Sequence, residues 1–248
     1  MTPVALKTKY AFHSLLWLLM PDIVLDVGSM DGADSKRFRK LLKKADIVAF
    51  EANPNNFKLM DEDPAIKGNE IRVVNKLVSC REGTQSFFIQ QQDGTEQNSN
   101  RGTSSALPRT EQGMRNEEVS IDSVRLDAFL KEEYPEAAKA AMWVDVEGFA
   151  YEVMESMQNA AEHIHLIHVE VETQECWPGQ KLESDVLRLL EGMGYVLLAQ
   201  GKHAIQRDLI LVSKSWYHSE AHGQINKILR LAQLGGPALS RALSLFPS

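Results

Sequence analysis

Asp145 and Glu147, in Trp143-Val-Asp-Val-Glu-Gly148, and His168 with Glu170, in the run IHLIHVEV over 164–171, are side chains that could take a proton from a substrate. Residues two apart on a strand point to the same side, so each pair presents its two side chains together if the strand persists that far. An alcohol does not ionise unaided near neutral pH, so chemistry on a hydroxyl asks for a positioned base. Asp145 is the first candidate for that base, with His168 and Glu170 next. Glu147 either joins Asp145 at the rim or caps the following helix. Asp145, Glu147, Glu170 and Glu172 are also hard oxygen ligands of the kind magnesium prefers. Their spacing specifies no metal, and none is assigned.

A second constellation lies early in the chain. Asp26-Val-Gly28-Ser29-Met-Asp-Gly32 follows a short apolar run and precedes a helical pattern. Glycines there let the backbone approach a ligand, and the helix start beyond them offers unpaired N–H groups. The dinucleotide fingerprint G-x-G-x-x-G is absent, which argues against a nicotinamide oxidoreductase. Glu51, followed by Ala52 and Asn53, ends the next apolar run, where an acidic side chain can accept hydrogen bonds from both hydroxyls of a ribose. Together the two motifs favour a nucleoside-bearing ligand.

The elements that must hold these residues alternate in type. Strand patterns fall at 23–27, 46–50, 71–79, 84–90, 119–126, 142–146, 164–171, 195–199 and 208–213, with helical patterns at 34–44, 127–133, 151–157 and 182–190 between them. Strands separated by helices imply βαβ units, a largely parallel sheet and right-handed crossovers. The last two strands, joined by a short turn, imply an antiparallel edge. Residues 10–20 read as an amphipathic helix, too short to span a bilayer.

The motif order DVGSMDG, FEANP, VVNKLVS, SSAL, VRLDAFL, VDVEG and HVEVE, over about residues 23–213, resembles the FkbM-type family of S-adenosylmethionine-dependent methyltransferases. The resemblance implies an α/β fold: a Rossmann-like, seven-stranded, mostly parallel sheet with an antiparallel edge strand and helices on both faces. It implies S-adenosylmethionine as cofactor and methyl transfer to a hydroxyl of a sugar, glycan or natural product. By position, Asp26, Gly28, Ser29 and Gly32 would frame the cofactor, and Glu51 with Ala52 and Asn53 would meet its ribose. Asp145 and Glu147 would stand at the reacting end. Ser104 and Ser105 match the family's serine pair and, with Arg109, would bind the acceptor. Ala52 departs from the proline usual there, and Phe149-Ala150 leaves the next helix start less acidic than in relatives. A non-catalytic binding or assembly module that keeps the fold is the competing reading.

Composition bounds the rest. The 248 residues carry 27 basic and 34 acidic side chains, a formal net charge of -7, with 44% hydrophobic residues. This is an ordinary globular composition, and its acidity argues against duplex nucleic acid as a partner. Two cysteines without metal-ligand spacing suggest a reducing, cytoplasmic setting. The organisation reads as an N-terminal helical segment (1–21), a methyltransferase domain (22–214) and a C-terminal helical tail (215–248). In the tail, Ile225, Ile228, Leu229 and Leu231 recur at helical spacing, and Leu239, Leu243 and Phe246 form a second apolar set. The tail is therefore a candidate homo-oligomer contact. Residues 91–116, polar and without periodicity, read as a loop closing over a small-molecule or glycan acceptor.

Overall fold

The structure is a computed structural model that describes residues 3–92, 102–109 and 114–234. In chain order its elements are β1 (Val4–Ala5), α1 (Thr8–Leu19), β2 (Ile23–Val27), α2 (Ala33–Leu41), β3 (Asp46–Phe50), α3 (Pro54–Glu62), α4 (Pro64–Lys67), β4 (Ile71–Val74), β5 (Leu77–Val78), β6 (Gly83–Gln92) and β7 (Met114–Val124). There follow α5 (Leu126–Glu133), β8 (Ala140–Val144), α6 (Ala150–Ser156), β9 (Ile164–Glu172), α7 (Glu183–Gly192), β10 (Tyr195–Gln200), β11 (Gln206–Ser213), α8 (Lys214–Tyr217) and α9 (His222–Gln233).

The main sheet runs β1-β10-β11-β9-β8-β2-β3-β4. All five residues of β2 and of β8 are buried, as strands covered on both faces require. From β2 the chain moves outward through β3 to β4 and then returns to β8 on the other side of β2. The strand order therefore reverses between β2 and β8, and a crevice opens there beyond the carboxyl ends of the strands. One face of the sheet packs on α1, α2 and α9 around Phe12, Leu15, Phe38 and Ile228. The other packs on α5, α6 and α7 around Phe129, Met154 and Leu190.

Several expectations are corrected. The main sheet has eight strands, because the two-residue β1 adds to the edge at β10, and β5-β7-β6 form a second sheet. The reversed strand β11 is not at the edge. It lies antiparallel between β9 and β10, filling a slot that the crossover through α7 leaves open. Its continuous buried run Leu209, Ile210, Leu211 and Val212 suits a strand flanked on both sides. The pattern at 71–79 is two strands rather than one, since the chain leaves β4 at Asn75 and β5 pairs with β7 instead. The strand at 84–90 is longer on both ends and pairs with β7, so the loop between them is shorter than 91–116. Residues 102–109, within that connection, are pinned to β6 by a two-way backbone bridge between Phe88 and Ser105.

The two terminal segments belong to the same core. Phe12, Leu15 and Leu16 of α1 are wholly buried, each worth roughly 1.5–3 kcal/mol of apolar transfer. Ile225, Ile228 and Leu229 of α9 are buried in the same cluster. The apolar face of α9 is thus covered within the chain. Leu239, Leu243 and Phe246 lie outside the described residues.

Candidate active site

The exits of β2 and β3 form one wall of the crevice. Gly28 has a left-handed φ of 84°, and a Cβ there would fall 1.8 Å from the Asp145 carbonyl oxygen. The close approach that makes glycine necessary is therefore that of the β8 exit, whose Asp145 N–H donates to Val27 O at 3.0 Å. Asp26 is buried and accepts from Ser29 Oγ at 2.7 Å and Ser35 Oγ at 2.5 Å, so it braces the loop from beneath. Burial outweighs these donors and pushes its carboxyl up to about 6. Gly32 is the N-cap of α2.

Glu51 lies just beyond β3 with its carboxylate turned inward. Oε2 accepts from Met30 N–H at 2.6 Å and Oε1 from Asn53 N–H at 2.7 Å, which joins the glycine loop to the β3 exit. Burial pushes it up to about 7 against those same bonds. Asn53 caps α3, accepting from Asn55 N–H, and donates from Nδ2 to Ser104 Oγ at 3.4 Å. Ala52 lines the crevice. Two positions not singled out from sequence matter here: Asn75 Nδ2 donates to Glu51 O and holds the strand exit, and Lys76 lines the crevice. The turn at Asn75 was hidden inside what reads as an unbroken strand.

The exits of β8 and β9 form the opposite wall. The strand ends at Val144, yet Asp145, Glu147 and Glu170 each place a carboxylate oxygen within 4.8 Å of the others. A left-handed turn, not a continuing strand, brings them together: Glu147 has φ 50° and Gly148 φ 86°. The non-glycine residue in that conformation costs on the order of 1–2 kcal/mol. Ser105 Oγ holds the turn by donating to Glu147 O at 2.6 Å, and Trp177 covers it so closely that a Cβ on Gly148 would meet the indole at 2.6 Å. Arg109 lies over the same indole at 5.0 Å.

The three carboxyls are pushed up together. For Glu170, burial and then Asp145 and Glu147 raise it to about 9. For Glu147, burial and then Asp145 and Glu172 raise it to about 8, with Arg109 opposing. Asp145 stands at the mouth of the crevice, where the surrounding protein and then Asp208 raise it to about 6. Near neutral pH the group therefore carries less negative charge than three separate carboxyls would. Gln206 Nε2 donates to Glu170 at 3.1 Å, and Gln180 Nε2 to Glu172 at 2.9 Å. The three-carboxylate group is also the one arrangement among the described residues suited to a hard cation.

Not every candidate arrives at the site. His168 is 2% exposed and stacks on Trp143 with ring centroids 3.6 Å apart and planes at 4°. Phe12 of α1 closes over it at 5.6 Å. Burial drives its pKa down to about 3, and neither ring nitrogen has a hydrogen-bond partner. It is a neutral core residue, although it shares a strand face with Glu170. The serine pair divides: Ser104 lines the crevice, whereas Ser105 is buried and bonded to Glu147 O and Leu107 N–H. Gly94, Arg101 and Gly113, expected in an acceptor-closing loop, lie outside the described residues.

No helix among the described residues is long and apolar enough to cross a membrane. Residues 26–197 match the family described as the methyltransferase FkbM domain. The chain is 27% identical over 212 residues to the 2-O-methyltransferase NoeI of Sinorhizobium fredii, a match covering 84% of this chain and 85% of that protein. Among solved structures it is similar to the precorrin-6y C5,15-methyltransferase of Geobacter metallireducens, at 12% identity and a TM-score of 0.45, covering 83% and 87% of the two chains. It is similar also to the N-terminal domain of EvdMO1 solved with SAH bound, at 12% identity and a TM-score of 0.44, covering 84% and 82%. With a family match that runs from the Asp26 loop through the carboxylate wall into β10, this chain belongs to the FkbM-type methyltransferases.

Proposed function

We propose that the protein transfers a methyl group from S-adenosylmethionine to a hydroxyl of a sugar or glycan, or of a natural product of similar polarity. The observation that carries the reading is the pairing of walls across the switch in strand order, with Glu51 on one side and the Asp145, Glu147 and Glu170 carboxyls on the other. The name of the NoeI relative, a 2-O-methyltransferase, supports oxygen as the acceptor atom.

The residues fit the cofactor. The glycine loop and the β3 exit offer a backbone-lined wall, and Glu51 supplies two carboxylate oxygens at the height where a ribose would lie. Bound there, S-adenosylmethionine supplies a methyl group on a good leaving group, so the protein has to align the acceptor and remove one proton. Asp145, the least raised of the three and at the open end of the crevice, accepts that proton. Glu147 and Glu170, where they hold protons, donate hydrogen bonds to the acceptor's oxygens and limit the charge on the wall. Ser104 borders the same space, and Arg109 lies over the indole that covers the Glu147 turn. Asp145, Glu147 and Glu170 would also hold magnesium, which would supply Lewis acidity toward a hydroxyl.

Release of S-adenosylhomocysteine in the presence of a panel of glycans tests the reading. We expect turnover with at least one hydroxylated acceptor, and a loss of about 100-fold or more in kcat for Asp145→Asn with cofactor affinity kept. Tight cofactor binding without turnover on any acceptor, with and without magnesium, would favour the non-catalytic module.

A further inference from the structure

The rim on which the carboxylates stand continues past β9. The next strands are β11, β10 and β1, and all present loop ends on the same edge of the sheet. Asp208 of β11 is opposite Glu170 in register, and Thr8 at the start of α1 donates to Asp208 Oδ2 at 3.0 Å. One hydrogen bond therefore separates the carboxylate wall from a second cavity, bordered by Lys7, Lys9 and Tyr10 on one side and by Lys202 and His203, in the turn between β10 and β11, on the other.

Asp208 lines this cavity too, with Oδ2 accepting from Thr8, and the other charged side chains around it are basic. Lys9 is held by Asp34 at 2.7 Å, but Lys7 and Lys202 are exposed and make no ion pair among the described residues. Tyr10 is 52% exposed and separates this cavity from a smaller one that adds Lys40 of α2 and Arg37, the latter also paired with Asp34. A chain of net charge -7 thus gathers cations around one exposed aromatic ring beside its candidate active site. Such a local field reversal attracts anions. Two strand spacings separate the exits of β9 and β10, about 10 Å, or roughly two sugar rings.

We propose that the acceptor is an anionic sugar chain whose sulfate or carboxylate groups are held by Lys7, Lys202 and His203 beside Tyr10, about 10 Å along the sheet edge from the hydroxyl that is methylated. The inference rests on the methyl-transfer reading above and gives it a substrate class.

The test is calorimetric titration of the full chain, saturated with S-adenosylhomocysteine, at low and high salt. The probes are a heparin-derived tetrasaccharide, a tetragalacturonate and neutral chitotetraose. We expect one or both anionic probes to bind, with affinity falling as salt rises, and chitotetraose to bind at least about tenfold more weakly. Binding of the sulfated probe alone identifies sulfate, and of the galacturonate alone carboxylate. The Lys7→Glu/Lys202→Glu variant should lose about tenfold or more in anionic affinity and keep its cofactor affinity within about twofold, and Tyr10→Ala should weaken the same probes. Equal binding of neutral and anionic probes, no binding of either anion, or an unchanged double variant would overturn the inference. Methylation of neutral glycans without anion binding would sink this inference and leave the methyl-transfer reading standing. Anion binding lost in the double variant, with no methylation of any glycan, would overturn the methyl-transfer reading and with it the acceptor role, leaving an anion-binding site alone.

Discussion

At the exits of β2 and β3, Asp26 and Glu51 are buried, and each accepts hydrogen bonds from neighbours already in place: Ser29 and Ser35 for the first, Met30, Asn53 and Asn56 for the second. At the exits of β8 and β9, Asp145, Glu147 and Glu170 face one another, with Gln206 donating to Glu170 and the charge of Arg109 offsetting part of the repulsion at Glu147. Both walls raise carboxyl pKa values, but for different reasons. The first does so chiefly by burial, and its geometry is set before anything binds. The second adds mutual repulsion, so its proton count changes with whatever enters the crevice. One wall is built to hold a shape and the other to exchange protons.

The comparison breaks most severely where the walls touch. Gly28→Ala should destabilise the protein by about 3 kcal/mol or more, because its Cβ cannot coexist with the Asp145 carbonyl. Gly83→Ala is the control: its φ is also left-handed, but a Cβ there meets nothing within 4 Å, so the cost is about 1–2 kcal/mol of backbone strain. Urea unfolding of both variants gives the difference, and equal losses would show that the contact between walls is not tight.

On the preorganised wall, Glu51→Ala should weaken S-adenosylmethionine binding by about 10- to 150-fold, from the loss of charge-assisted hydrogen bonds worth roughly 1.5–3 kcal/mol. Calorimetry on a variant shown to be folded measures this, and unchanged affinity would remove Glu51 from the cofactor site. Because burial raises Glu51 to about 7, cofactor affinity of the wild type should increase as pH rises from 6 to 8.

The proton-exchanging wall makes a prediction about stability. A carboxyl whose pKa is higher in the folded than in the unfolded chain contributes stability that is full below its unfolded value and lost as pH rises through its folded value. Glu147 and Glu170, at about 8 and 9 against an ordinary 4.5, should therefore lower stability progressively between pH 4.5 and 9. Glu170→Gln removes one of these groups and relieves its neighbours. Its urea midpoint should fall less between pH 6 and pH 9 than that of the wild type. A parallel pair of curves would show that the carboxyls do not interact.

The smallest effect is expected at His168. As a neutral ring stacked on Trp143 with both nitrogens unbonded, it has no proton role, so His168→Phe should leave turnover within about threefold and stability within about 1 kcal/mol. A loss of activity beyond 100-fold with the fold intact would return it to the candidate bases.

Much of this arrangement was legible from residue types and spacing. Continuous apolar runs placed β2, β3, β8 and β9, and the glycine loop and Glu51 marked the first wall, because those signals are local: a buried parallel strand reads as such, and the residue that ends it must stand at the rim. Asp145, Glu147 and Glu170 were also visible as rim carboxylates. What strand alternation cannot tell is what covers a face. His168 and Glu170 point the same way on β9, yet α1 lays Phe12 over one and stops short of the other. Likewise Ser105 adjoins Ser104 in sequence but turns its hydroxyl to the Glu147 turn, and the interior position of β11 depends on where α7 sets the chain down. Sequence specified the chemistry of each side chain and the side of the strand it takes. Only tertiary packing decided which of them meet water, which meet one another and which lie beneath a helix, because those outcomes depend on contacts between segments far apart in the chain.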